Sequence, residues 1–346
     1  AVTSCYFAQK QVKIWQNDQV LWQYALKVNP NSSIANRLLA DASRLAGDND
    51  KAKVYYEKVL ETNQSDPEPR FHLANIYLDE SEFAKAKSTF LQVLKMDPDF
   101  HKVHFRLGKT YLALKENDNA LKAFEKAVAS NPPNPIYNYF LGRAYVQMES
   151  YSKAEEVLKQ ISTGDKLTKA EQADAHALLG LAQFHLKKTE PAQENLEKAV
   201  SLNSQHVLAN QVLGEIFYTD GQYPKAEAYY ETAIEKMSEV EPKILSHLGH
   251  IYIEGGKYKE AAARLKEAIA IEPGNAMHHN YLGIAYFNLR QFKSADEEFD
   301  QAMTLDDKLA DPYYYKGDMA RWRGKRDVAN SYYYRALKID RGHAMA

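Results

Sequence analysis

Residues 101–134, HKVHFRLGKTYLALKENDNALKAFEKAVASNPPN, decide the fold. In the first half His104, Leu107, Gly108 and Tyr111 recur at spacings of three and four, the period of one face of a helix. In the second half Ala120, Phe124 and Ala127 do the same, and Pro132 stops the chain. Asn117 and Asp118 fall between the halves, where short polar side chains cap the start of a helix. One such helix pair has apolar residues on too many sides to be stable alone. It must stack against copies of itself.

The copies are present. The same template starts at Ser33, Pro67, His101, Pro135, Ala173, Val207, Pro242, Ala276 and Ala310. The small residue of the first helix is Ala40, Ala74, Gly108, Gly142, Gly180, Gly214, Gly249, Gly283 and Gly317. In the second helix it is alanine throughout: Ala52, Ala86, Ala120, Ala154, Ala192, Ala226, Ala261, Ala295 and Ala329. A larger side chain in that column would push the two helices of a repeat apart. The pattern resembles the tetratricopeptide repeat family over nearly the whole chain. The fold this implies is all-α, a right-handed superhelical solenoid of helix-turn-helix repeats in one continuous array over residues 33–341. Residues 1–32 form a lead-in and half repeat, and residues 342–346 a tail.

Length alone, 346 residues, suggests more than one globular domain, but a solenoid grows by addition without a second core. Net charge is −2, with acidic and basic residues mixed along every helix, so no basic footprint of a nucleic-acid binder is present. The single cysteine, Cys5, excludes internal disulfides. No apolar run is long enough to span a bilayer, and the first residues do not read as a signal peptide. The triplets beginning at Asn31 and Asn63 are glycosylation sequons that would matter only in a secretory compartment.

Residues 15–30, WQNDQVLWQYALKVNP, read as the second half of a repeat, with Asn17 and Asp18 at the helix start and Pro30 at its end. The interval between the fourth and fifth repeats is longer, and the insertion falls in residues 161–174. Gly164 and Asp165 make a turn there, and Thr168 with Glu171 has capping-box spacing. This predicts a loop and an earlier start for the next helix. Pro191 and Pro224 fall in the first turn of a second helix, where proline removes no hydrogen bond. The last repeat is followed by no polar capping helix. Its final helix carries Tyr332, Tyr333 and Tyr334 instead. The half repeat at one end and this uncapped repeat at the other imply a piece of a longer protein, or self-association through the array ends.

In stacked helix pairs the first helices line the inner groove. Residues one, four, eight and eleven after each repeat start are expected to face it. Phe71, Phe105 and Tyr139 hold one such position in successive repeats, and Leu78, Leu112 and Val146 another. Asn75, Lys109 and Arg143 sit between the rows, with Arg37 and Lys102 nearby. The track suits a peptide or helix with apolar anchors and acidic flanks; packing between neighbouring first helices is the other reading. A second candidate lies at Tyr314, Arg321 and Trp322, residue types that dominate interaction hot spots; simple stacking between helices is the other reading there. Arg37 with Asp41 and Phe71 with Asn75 do not assemble the lysine–asparagine carboxylate clamp of the chaperone-binding members. Asn75 and Asn280 alone do not make the asparagine ladder of the sugar transferases.

Histidines come in near pairs, His101 with His104, His247 with His250 and His278 with His279, but no cysteine or acidic cluster joins them as metal ligands. Cys5 has no histidine partner for nucleophilic catalysis, and no glycine-rich phosphate loop occurs. No cofactor and no active site are expected. Residues 15–32 also resemble the junction in membrane-bound glycosyltransferases similar to the transmembrane-and-tetratricopeptide O-mannosyltransferases. That resemblance implies an acceptor-binding domain on the lumenal or periplasmic side, attached to a membrane part before residue 1. Otherwise the compartment is cytoplasmic. Three functions follow as expectations: a scaffold holding a partner polypeptide in its groove, the acceptor-binding domain of such a transferase, and a bacterial envelope secretion or assembly adaptor.

Overall fold

The computed structural model describes residues 18–130, 134–161 and 167–340. Among the described residues every regular element is a helix. The expected Trp15, Asn17, Pro132, Gly164 and Asp165 features lie outside them. The chain packs as two compact units, Ala1–Thr168 and Lys169–Ala346, and the long interval coincides with their boundary.

In the first unit α1 (Asp18–Val28) precedes four pairs: α2 (Ser33–Leu45) with α3 (Asn49–Thr62), α4 (Pro67–Asp79) with α5 (Phe83–Met96), α6 (Lys102–Ala113) with α7 (Asn117–Ser130), and α8 (Pro135–Gln147) with α9 (Tyr151–Leu158). The second unit holds five: α10 (Lys169–His185) with α11 (Thr189–Leu202), α12 (Val207–Thr219) with α13 (Tyr223–Ile234), α14 (Pro242–Glu254) with α15 (Tyr258–Ile271), α16 (Ala276–Asn288) with α17 (Phe292–Leu305), and α18 (Ala310–Trp322) with α19 (Arg326–Ile339). Each unit is an all-α repeat solenoid. The early start predicted for the fifth repeat is observed, since α10 begins at Lys169, four residues before Ala173. One boundary differs. Asn117 and Asp118 are the first two helical residues of α7 rather than its cap, and the Glu116 carbonyl accepts the first bond from Ala120 N at 3.0 Å.

The small-residue columns account for the pairing. All nine alanines of the second-helix column are at most 1% exposed. Opposite them, each first-helix glycine meets a bulky side chain sixteen residues on; a Cβ on Gly108 would lie 2.6 Å from Phe124, and one on Gly249 2.5 Å from Leu265. Every repeat turns in the same way. The residue at the turn has positive φ, from 54° at Glu149 to 78° at Gly47. The N–H after it bonds back five residues, as Gln222 does to the Phe217 carbonyl at 2.8 Å, which closes a Schellman motif.

A further tie was not legible in the sequence. The fourth residue of several repeats reaches back six residues to the preceding loop. Asn36 and Asn210 donate to the Pro30 and Ser204 carbonyls at 3.2 and 3.0 Å, and Arg70 to the Gln64 carbonyl at 3.4 Å. His279 Nε2 lies 3.0 Å from the Pro273 carbonyl, with Nδ1 2.7 Å from Glu298. Its side chain stitches one repeat to the next.

Candidate partner-binding faces

First helices of successive repeats pack side by side, α4 with α6 in the first unit, and α14 with α16 and α16 with α18 in the second. Each unit therefore presents a first-helix face on which residues from different repeats meet.

In the first unit the structure separates the predicted track into two kinds of residue. Phe71 is 8% exposed, its ring 6.0 Å from Phe90 and 5.2 Å from Phe100. Tyr139 is 5% exposed and meets Phe140 edge-on at 5.0 Å. Both rings serve packing, so serine at either would open the core. Phe105 is half-buried, stacked on Tyr137 at 4.5 Å, and Leu78, Leu112 and Val146 are also half-buried. Lys109 lies over the Phe140 ring with Nζ 5.5 Å from its centroid, and Arg143 is exposed. Asn75 donates to the Phe71 carbonyl at 2.8 Å, a bond back onto its own helix. The groove positions of this unit carry Arg37, Arg44, Lys102, Lys109 and Arg143 against Asp41 and Glu68.

The second unit has the opposite balance. Its groove positions carry Asp174, Glu215, Asp311 and Asp318 against Lys243 and Arg321, and Glu254 follows directly on one of them. Lys243 is paired with Glu215, and Arg321 is 3.9 Å from Asp318. Tyr314 is half-buried and edge-on to Tyr315 at 5.3 Å. Trp322 stays 58% exposed, stacked on Phe287 at 5.2 Å.

The second unit also holds a tyrosine–histidine network that the sequence showed only as a histidine pair. The Tyr218 ring stacks on His247 with centroids 3.9 Å apart, and its hydroxyl is 3.0 Å from His250 Nδ1. Tyr230 places its hydroxyl 2.8 Å from His247 Nδ1, and His250 stacks on Tyr281 at 4.8 Å. Tyrosines from the preceding repeat thus occupy the Nδ1 positions of both histidines. Among the described residues no group of three or more His, Cys, Asp and Glu is placed to hold a metal ion. No described helix is long and apolar enough to cross a membrane.

Burial dominates the titration of these histidines. It pushes His247 down to about 4, with Lys243 and His250 adding repulsion, and lowers His250, His278, His104 and His72 as well. The folded groups bind protons less readily than the unfolded chain, so their contribution is fully present above about pH 6.5 and is lost as pH falls towards 4. The melting temperature is expected to drop over that window. His247 alone accounts for on the order of 2–3 kcal/mol at the acid end. Thermal melts at pH 7.5, 6 and 4.5 with His247→Gln, whose pH slope should be shallower, check this.

Family models match in four places. The tetratricopeptide repeat model matches at residues 38–66 and 71–135, the TPR repeat model at 249–289, and the tetratricopeptide repeat protein 21 C-terminal ARM domain at 109–246. The chain is similar to the BBSome complex member BBS4 of Bos taurus, 34% identical over 28% of this chain and 18% of that protein. It is also similar to Hsc70-interacting protein 1 of Drosophila melanogaster, 30% identical over 35% of this chain and 30% of that protein. The chain thus spans less than a third of either relative. A solved structure of Pseudomonas aeruginosa pilF aligns with 62% of this chain and 96% of its own, at TM-score 0.53 and 21% identity, a likeness of fold. The glycosyltransferase resemblance of residues 15–32 finds no support in these likenesses.

Proposed function

We propose, from the premise that this chain belongs to the tetratricopeptide repeat family, that it is a non-catalytic scaffold whose first-helix faces hold a partner polypeptide. The repeats align helices side by side into a surface that reads a chain segment by pockets and charge. On the first unit the occupant is a segment with apolar anchors and acidic flanks. The observation that carries this is the arrangement on α6 and α8, where exposed or half-exposed Lys109 and Arg143 flank half-buried Phe105, Leu112 and Val146. A protein interaction is also what the name of the Drosophila relative states for that protein.

The test replaces Lys109 and Arg143 with glutamate, which leaves the buried rings in place. A fluorescein-labelled peptide of alternating leucine and glutamate serves as probe in an anisotropy titration. Its affinity is expected to fall roughly ten- to a hundredfold, with the far-ultraviolet dichroism unchanged, because like charges now face each other across the contact. Equal affinity for the double variant and the native chain would overturn the reading for this face.

A further inference from the structure

The second unit's face asks for different chemistry. Glu254, at the end of α14, is 51% exposed at its side chain, and among the described residues no lysine or arginine pairs with it. The His250 imidazole, 3.8 Å away, is kept neutral by burial and leaves that carboxylate uncompensated. Asp311, at the start of α18, acts on the same tyrosines as Glu254, Tyr281 and Tyr315. Those rings and Phe287, 4.9 Å from Tyr315, give the face an aromatic floor.

Asn280 adds an independent sign. It is fully buried beneath this face, and its amide nitrogen donates to Asp311 at 3.1 Å. That bond fixes the orientation of the amide. Its oxygen is then left as a buried acceptor with no donor, next to a carboxylate. Such a group asks for an incoming N–H. One chemistry meets all three demands. A guanidinium is flat enough to lie on aromatic faces, stays cationic, and carries five donors in a fork.

We propose that the first-helix face of the Lys169–Ala346 unit takes an arginine-bearing segment of a partner polypeptide, its guanidinium lying on Tyr281, Phe287 and Tyr315 between Glu254 and Asp311. This rests on the reading that these faces bind polypeptide and assigns the two units opposite preferences. The first selects acidic flanks, the second a cation. Exposed Trp322, stacked on Phe287, sits where an occupant changes its surroundings.

The full chain is titrated by anisotropy with three labelled probes of equal length, repeats of Gly-Ser-Arg, Gly-Ser-citrulline and Gly-Ser-Glu. Citrulline keeps the shape of arginine and removes its charge. The arginine probe is expected to bind at least about tenfold tighter than either other probe at this face. It should lose about that factor in Glu254→Gln and in Asp311→Asn, while Glu260→Gln on α15 leaves it unchanged. Glu254 is exposed, so its variant folds even if Asp311→Asn does not. The alternating leucine–glutamate probe is followed in the same variants. Loss of arginine binding alone in Glu254→Gln supports the proposal. Equal binding of arginine and citrulline probes, or arginine binding untouched by Glu254→Gln, overturns it. Failure of the leucine–glutamate probe in the native chain overturns the reading of the first unit instead.

Discussion

Gly283→Val is expected to destabilise the second unit by at least about 3 kcal/mol, as overpacking in a core with no room to relax. A Cβ at Gly283 would sit 2.6 Å from Phe299 Cε1 and 2.7 Å from Cδ1, below any real contact. Phe299 is 0% exposed and lies in a cluster with Ile284, Ala295 and Met319, so its ring cannot swing aside without moving a neighbour. Valine returns little helix propensity relative to glycine, roughly 0.5 kcal/mol, far less than the clash. The strain has one chief partner, so it should be relieved by shrinking that partner. Leucine is not small enough, since a Cβ on Gly180 or Gly249 would lie 2.6 or 2.5 Å from Leu196 or Leu265, and one on Gly142 closer still to Leu158. In Gly283→Val/Phe299→Ala the two changes are expected to couple by about 0.5–3 kcal/mol of rescuing sign. Urea unfolding of the four proteins of the cycle measures the coupling, and additive losses would mean that the ring is not what the glycine accommodates. Because each repeat touches only its neighbours, hydrogen exchange should show the loss centred on α16–α19.

The repeat boundaries and both small columns were readable because their cause is local: a small residue has to face a large one sixteen positions away in the same pair. Exposure on the groove was not readable on the same terms. Phe71 and Phe105 hold the same register position, yet Phe71 is covered by Phe100 from the loop before the next repeat, while Phe105 stays half-open against Tyr137. What covers a groove residue comes from a neighbour whose loop the periodicity does not describe. His247 and His250 show the same limit. Read on one helix they are an i, i+3 pair, but Tyr230 and Tyr218 of the preceding repeat engage them. The fourth-position ties of Asn36, Asn210 and His279 depend on where a loop carbonyl points, which composition does not encode.

Lys316 breaks the pattern in a way that predicts opposite signs for two simple changes. In the eight earlier repeats its position is leucine, Leu39, Leu73, Leu107, Leu141, Leu179, Leu213, Leu248 and Leu282, each at most 8% exposed. Lys316 is 7% exposed itself, with Nζ 2.9 Å from Asp296 and 2.6 Å from Asp300 on α17. Burial works against the ammonium, but the hydrogen bonds to Asp300 and Asp296 outweigh it and raise its pKa, so the charge persists. The two aspartates are far more exposed than the lysine, 35% and 58% at their side chains. Losing the lysine returns them to water at little cost. Losing them strands an ammonium in a leucine site. Lys316→Leu is therefore expected to be neutral or to stabilise by about 1–2 kcal/mol, whereas Asp296→Ala/Asp300→Ala should destabilise by about 3–5 kcal/mol. In that aspartate-free variant the folded lysine would hold its proton more weakly than the unfolded one, so its stability should rise as pH is raised from 7 towards 10. Adding Lys316→Leu to it should recover most of the loss and flatten that slope. Urea midpoints of the four proteins decide it, and a loss in Lys316→Leu comparable to that of the double aspartate change would show that the ion pairs, not the space they fill, hold the last repeat to its neighbour.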